Sequence, residues 1–257
     1  MRLIVCGVLG RMGKATQELI FESEDLNLVA GVDLAEKSVN FPLYKTINDC
    51  KTEADCIVSF LPPTAYNESM ALLDYCIKKQ LPVVICTTGN CEKVIGKINE
   101  ASGSVAVLHS ANMSFGINLI CDVLEKVSKS LYEAGFDIEI LEKHHSGKID
   151  SPSGTAYMLA NTINSSLDGK LNIVNDRSGA HKKRGQEEMG VFALRGGGIC
   201  GDHSIMFASG TEVIELSHSA LNRAVFANGA LKAARFLLGK KPGLYNMKNL
   251  LGVNENE

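Results

Sequence analysis

Two adjacent histidines and a lysine share one short stretch, Glu142-Lys143-His144-His145-Ser146-Gly147-Lys148-Ile149-Asp150-Ser151-Pro152-Ser153-Gly154-Thr155-Ala156. An imidazole gives or takes a proton near neutral pH. Lys148 adds a fixed positive charge and a second acid. The Ser153-Gly154-Thr155 turn opens a helical pattern, and a helix start that contains glycine presents backbone N–H groups to an anion. Together they suit a small acidic substrate that is protonated during reaction. A histidine pair at a strand end would by itself be read as structural; the lysine and the turn beside it favour a site. Among the other histidines, His109 sits at a strand end near a candidate cofactor loop, and His181, His203 and His218 are scattered and read as structural. No H-E-x-x-H or other common ligand spacing is present, so no metal is expected.

A second group of residues lies at the start of the chain. Gly7-Val8-Leu9-Gly10-Arg11-Met12-Gly13 follows an apolar strand and opens a helix. Glycines there allow a tight turn and let a pyrophosphate approach the backbone N–H groups. The run departs from G-x-G-x-x-G, because Leu9 stands at a glycine position in one register and Val8 in the other. Asp33 follows the second strand, about twenty positions beyond Gly13, where a carboxylate binds the ribose hydroxyls of an adenosine. A 2′-phosphate beside that carboxylate would be repelled, and the nearest cation in sequence is Lys37. NADH is therefore the expected cofactor, with NADPH tolerated at best. Cys86-Thr87-Thr88-Gly89 and Ser110-Ala111-Asn112-Met113 fall at the carboxyl ends of two further strands, where ligands bind in such sheets.

The elements that position these groups change character along the chain. Val/Ile/Leu-rich strands at 3–6, 26–32, 56–61, 83–86 and 105–108 alternate with helical patterns at 12–21, 65–78 and 92–101. Strands that hardly alternate are covered on both faces, and their succession with helices implies a parallel sheet. After Asn112 come a helix at 116–132, a strand around Ile138 and Ile140, and the helix after the Ser-Gly-Thr turn. Residues 168–189, with Lys182-Lys183-Arg184, read as a mobile loop. Strands at 190–195, 202–208 and 212–217 then follow, with Ser209-Gly210 as a hairpin turn. A last helix covers 223–238, and the tail at 242–251 reads as turns. The fold class is thus α/β: an N-terminal Rossmann-like parallel-sheet domain (1–113 with 223–257) plus a smaller α+β domain with a mixed or antiparallel sheet (114–222).

The 257 residues suffice for a full core, with 45% hydrophobic and 21% charged residues. A net charge of −3 gives no electrostatic case for nucleic acid or an anionic membrane. No run approaches the ~18 apolar residues of a membrane span, and the opening Met1–Gly7 stretch is too short for a signal-peptide core. The eight cysteines include no C-x-x-C pair and read as reduced, buried thiols of a cytoplasmic protein.

With these pieces placed, the chain resembles the 4-hydroxy-tetrahydrodipicolinate reductase (dihydrodipicolinate reductase) family over nearly its whole length. The resemblance rests on Gly7-x-x-Gly10-Arg11-Met12-Gly13, Thr87-Thr88-Gly89, Ala111-Asn112 with Ser114 and Gly116, the His144–Ala156 block, Arg195-Gly196-Gly197 through Gly201-Asp202-His203, and Phe226-Ala227-Asn228-Gly229-Ala230. It implies NAD(P)H-dependent reduction of a cyclic dicarboxylate imine in diaminopimelate and lysine biosynthesis. It also implies His144 as proton donor, Lys148 as its partner acid, and His145, Gly154 and Thr155 as ligands of a substrate carboxylate, with the N–H of Ser153 beside them. Residues 7–12 and 33 would hold the pyrophosphate and adenosine ribose, and 86–88 with 110–113 the nicotinamide side. A homotetramer is the assembly implied. Cys86 replaces the family's usual glycine, Leu34 a frequent arginine and Met113 a common phenylalanine. Alternatives are another NAD-dependent reductase of amino-acid metabolism, a metal-dependent hydrolase using His144, His145 and a third histidine, and a non-enzymatic NADH-binding sensor.

Overall fold

The computed structural model describes residues 1–89 and 91–252. In chain order the first elements are β1 (Arg2–Cys6), α1 (Arg11–Phe21), β2 (Asn27–Val32), β3 (Leu43–Tyr44), β4 (Cys56–Ser59), α2 (Tyr66–Lys79), β5 (Val83–Ile85), α3 (Glu92–Ser102) and β6 (Ala106–His109). There follow α4 (Phe115–Glu133), β7 (Asp137–His144), α5 (Gly154–Ser166), β8 (Asn172–Val174), β9 (Glu188–Arg195), β10 (Asp202–Ala208), β11 (Val213–Ser219), α6 (Ala224–Leu237), β12 (Gly243–Tyr245) and α7 (Met247–Leu251). Two compact units result: Met1–Phe115 together with the chain from Arg223 on, and Gly116–Asn222. The last five positions of the 223–257 segment lie outside the described residues.

The first unit holds a seven-stranded sheet in the order β12-β6-β5-β4-β1-β2-β3, with every strand pair parallel. Leu3, Ile4, Val5, Ile57, Val58, Val83 and Val84 are all fully buried, which is why their strands read as unbroken apolar runs. Two cores lie on the opposite faces: Ile4, Ile57 and Val83 pack towards α2 and α3, and Leu3, Val5 and Val58 towards α6. Three features depart from the expected order. β3 extends the sheet beyond β2. The tail is not a string of turns, since Gly243–Tyr245 pairs with Ala106–Leu108 of β6. α7 then forms behind an Asn246 cap whose side chain accepts from the N–H groups of Lys248 and Asn249.

The second unit holds a five-stranded mixed sheet in the order β11-β10-β7-β9-β8. β10 and β11 form the hairpin expected at Ser209-Gly210. β9 and β10, neighbours in sequence, are not neighbours in space: β7 lies between them, parallel to β9 and antiparallel to β10. Ile138, Ile140, Glu142 and His144 of β7 are buried on the face that α4 and α5 cover. The 168–189 segment is not wholly loop: β8 takes up 172–174 and β9 starts at Glu188, with irregular turns between them. Within it Arg184 donates to the carboxylates of Asp137 and Glu139 and to the carbonyls of Ile138, Gly185 and Glu188. Charge-assisted hydrogen bonds of this kind are each worth about 1.5–3 kcal/mol when partly buried, enough to fix a surface strap. Among the described residues no helix is long and apolar enough to cross a membrane. Cys6, Cys50, Cys56, Cys76 and Cys121 are buried as expected, but Cys86 and Cys200 are half-buried and Cys91 is exposed.

Candidate functional site

In the first unit the sequence elements meet at the carboxyl edge of the sheet. β1 ends at Cys6, the chain turns at Gly7, and α1 starts from Gly10 with no side-chain cap on its N–H groups. A methyl group on Gly13 would drive into the carbonyl oxygens of Gly7 and Val8, so glycine is what lets α1 lie against the turn. Asp33 lies just past β2. One of its carboxylate oxygens accepts from the N–H of Leu9 at 2.9 Å and the other from the N–H of Ala35 at 3.1 Å. The acid therefore ties the glycine turn to the end of β2. Gln17 steadies the same turn through the Val8 carbonyl at 2.7 Å. A cleft of about 480 Å³ opens here, bordered by Gly7, Gly10, Asp33, Leu34, Thr46 and Asn48. An uncapped helix start, a turn that only glycine fits and a carboxylate on the rim suit a dinucleotide's pyrophosphate and ribose. Arg11 is exposed at the start of α1, with Met12 half-buried behind it.

The other two loops of this unit are ordered by their own side chains. The Thr87 hydroxyl donates to the Leu61 carbonyl at 2.6 Å, while Thr88 is exposed. The Ser110 hydroxyl donates to the Asn112 carbonyl at 2.8 Å, and the Asn112 side chain accepts from the N–H of Ser114 at 2.8 Å. Ala111 is exposed. Met113 is buried in the core with Ala230 and Leu231, and its carbonyl lies against Gly229 of α6.

The second unit builds the histidine site from four elements. His144 ends β7 and is buried; its Nδ1 lies 2.6 Å from Oε2 of Glu142, two residues back on the same strand face. Glu142 is fully buried. Arg195, register partner of His144 at the end of β9, grips both oxygens of that carboxylate at 2.8 and 2.7 Å. The Ser153 N–H adds a bond at 2.8 Å. Burial works to raise the Glu142 carboxyl, yet the bonds from Arg195, His144 and Ser153 outweigh it and hold it below the usual carboxylate range. From β10, His203 sets its ring edge-on to His144 with centroids 5.3 Å apart, and its Nε2 lies 3.1 Å from the Ser153 hydroxyl. Burial pushes His203 down to about 4, with His144 adding to the shift, so it is neutral near pH 7.

The predicted anion seat is present but differs in detail. Ser153 caps α5 through its hydroxyl, which accepts from the Ala156 N–H at 3.1 Å. Its own N–H is directed to Glu142, so it is not offered to a substrate. The exposed N-terminal turn of α5 is therefore Gly154 with the half-buried Thr155. Lys148 meets Asp150 at 2.8 Å rather than His144, whose partner is Glu142. Burial works to raise the Asp150 carboxyl, but Lys148, with help from the Gly154 N–H, holds it below its usual value. The Asp150 carboxylate therefore lies beside both Lys148 and the start of α5. His145 is half-buried at the entrance to the same loop.

Glu142, Arg195 and His203 are the residues that sequence reasoning missed. The signal for Glu142 was its place two residues before His144, on the same face of one strand. The sequence alone reads His203 as structural, because nothing in it says that β10 lies beside β7.

Comparison with known proteins agrees over the full chain. The family model described as dihydrodipicolinate reductase, N-terminus, matches residues 1–113, and the one described as dihydrodipicolinate reductase, C-terminus, matches 116–251. The 4-hydroxy-tetrahydrodipicolinate reductase of Clostridium novyi (strain NT) is 45% identical over 251 residues, covering 97% of this chain and 98% of that protein. Its counterpart in Clostridium tetani (strain Massachusetts / E88) is 44% identical, covering 97% and 96%. The dipicolinate-bound dihydrodipicolinate reductase of Paenisporosarcina sp. TG-14 shares the fold, with a TM-score of 0.79 at 21% identity over 97% of this chain and 98% of that one.

Proposed function

The chain belongs to the dihydrodipicolinate reductase family, and we propose that it reduces 4-hydroxy-tetrahydrodipicolinate to tetrahydrodipicolinate with NAD(P)H, in diaminopimelate and lysine biosynthesis. The observation that carries this reading is the match of both halves of the chain to that family, at up to 45% identity with its reductases. Residues 1–113 with 223–257 would bind the dinucleotide and 114–222 the substrate. When bound, the reduced nicotinamide supplies a hydride. The turn at Gly7–Met12 and Asp33 would hold its pyrophosphate and ribose; Cys86–Thr88 and Ser110–Met113 would face the nicotinamide. Lys148, His145 and the N–H groups of Gly154 and Thr155 bind the substrate carboxylate, with Asp150 giving way to it. His144 supplies the proton that captures the electron density left by hydride addition, a contribution of about 10²–10⁴ in rate.

NADH is the preferred cofactor in this reading. Support comes from the Asp33 carboxylate on the rim of the cleft and from the exposed Leu34 beside it. Lys45 also borders the cleft, but it is paired with Glu36 at 2.6 Å. A tenfold higher kcat/KM for NADPH would overturn the preference. The assembly in this reading is a homotetramer in the cytoplasm. Leu141, Leu194 and Val213, which the strand register places on one face of the second sheet, are exposed and would be covered by another copy. Sedimentation equilibrium measures the assembly directly. The reaction itself is tested by supplying substrate from a coupled synthase and following NADH absorbance; absence of turnover in the folded wild type sinks the reading.

A further inference from the structure

Glu142 is a carboxylate with no exposed surface, yet it has no hydrophobic purpose and four polar contacts. A buried charge is costly unless each lone pair is matched. Here the matching groups come from separate parts of the unit: His144 from its own strand, Arg195 from the parallel neighbour β9, and Ser153 from the cap of α5. We infer that Glu142 is a positioning residue of the reaction: it holds the proton on Nδ1 of His144, makes Nε2 the atom that gives a proton up, and fixes the cap of the anion-binding helix in the same act. This deepens the proposed function and rests on it.

The Nδ1 atom lies 2.6 Å from Oε2 of Glu142, so the neutral ring keeps its proton there and Nε2 is its bare atom. On that side stands Gly201, where a methyl group would lie 2.9 Å from Nε2; any larger residue would cover the atom that must reach substrate. In the acid form both nitrogens carry protons. Transfer breaks the Nε2–H bond, the proton passes to the reduced substrate, and the Nδ1–H bond to Glu142 stays. Arg195 decides that outcome. Its two bonds neutralise Glu142, so the carboxylate stabilises the imidazolium without taking its proton.

The charges around His144 are few enough to name. Glu142 and Arg195 face it from β7 and β9, and neutral His203 from β10. Asp202 and His218 act on His203, Asp150 acts on Arg195, and Lys148 is paired with Asp150. Glu142→Gln leaves Arg195 uncompensated beside the imidazolium, which disfavours the acid form. Activity that needs the acid form should therefore be lost at lower pH in the variant than in the wild type.

The test combines the pH dependence of kcat with ¹⁵N NMR of the histidine rings. Expected are an Nδ1-protonated neutral His144 in the wild type, and in E142Q a descending limb displaced by one pH unit or more. The same variant should lose tenfold or more in kcat at pH 7.5, with NADH affinity within twofold of wild type. The double variant E142Q/R195Q, which restores charge balance, should move the limb back. A purely structural role would lower the melting temperature and leave limb and tautomer in place; that result, or an Nε2-protonated wild-type ring, overturns the inference. If E142Q does not fold, R195K and the wild-type tautomer decide it. Wild type without turnover refutes the proposed function instead, and the tautomer still shows whether Glu142 fixes the ring.

Discussion

The glycine turn of the first unit and the histidine site of the second solve opposite problems with opposite materials. The turn is made almost entirely of backbone: an uncapped helix start, a glycine that lets helix meet strand, and one acid that accepts two N–H groups. It can receive a charged ligand because little side chain is in the way. The histidine site is made of side chains whose charges are already balanced by one another: Glu142 by Arg195, and Lys148 by Asp150. Under the proposed function it delivers a proton because each group is held in one place. In that same reading, binding phosphate asks for bare backbone, whereas moving a proton asks for side chains that are fixed and compensated.

That contrast breaks most sharply at His144. Replacement by alanine should cost about 10²–10⁴ in kcat and leave NADH affinity, which the proposed function assigns to the first unit, unchanged; stopped-flow fluorescence with NADH and the coupled assay measure the two separately. Equal losses in both would erase the division of labour drawn here.

His203 sharpens it through pH. The group is a base whose folded value, about 4, lies below the ordinary 6.5. The unfolded chain therefore binds more protons between those values, and stability is lost as pH falls from 6.5 towards 4. The full loss is about 3 kcal/mol at 1.36 kcal/mol per pH unit. Urea melts at pH 7.5 and 4.5 should show it in the wild type and not in His203→Phe.

In the first unit the corresponding weak point is Gly13. Alanine there must push α1 off the turn, at a cost of about 1–3 kcal/mol, and NADH affinity should fall with the melting temperature. A Gly13→Ala protein with wild-type affinity would show that the close approach of helix and turn is dispensable. The smallest effect is expected at Asp33. Asparagine keeps one of the two N–H bonds and removes the charge that repels a 2′-phosphate, so the ratio of kcat/KM for NADH over NADPH should fall up to about tenfold, or 1.4 kcal/mol. An unchanged ratio would move the source of preference elsewhere in the cleft.

The two regions also differ in how far the sequence discloses them. Gly7 to Asp33 is legible because its chemistry is local: a strand, a turn and a helix in succession, with the acid at the next strand's end. His144, Lys148 and Ser153 to Thr155 were legible as a block for the same reason. Their partners were not. Lys148 was expected beside His144 and instead meets Asp150; Ser153 was expected to offer its N–H and instead gives it to Glu142. Both depend on how the loop after β7 folds back, which residue spacing does not encode.

The sequence alone determined most of the strands and helices and the parallel sheet of the first unit, and it marked His144 and Lys148 as candidates for acid–base chemistry. Side-chain periodicity and turn chemistry act over a few residues and leave their mark in the order of residue types. Tertiary structure alone decided that β7 runs between β9 and β10, that the tail adds β12 to the first sheet, and that Arg184 straps its segment to β7. Backbone hydrogen bonds are alike at every residue, so strand order is chosen by the packing of whole faces. Only that choice brings Arg195 to Glu142 and His203 to His144.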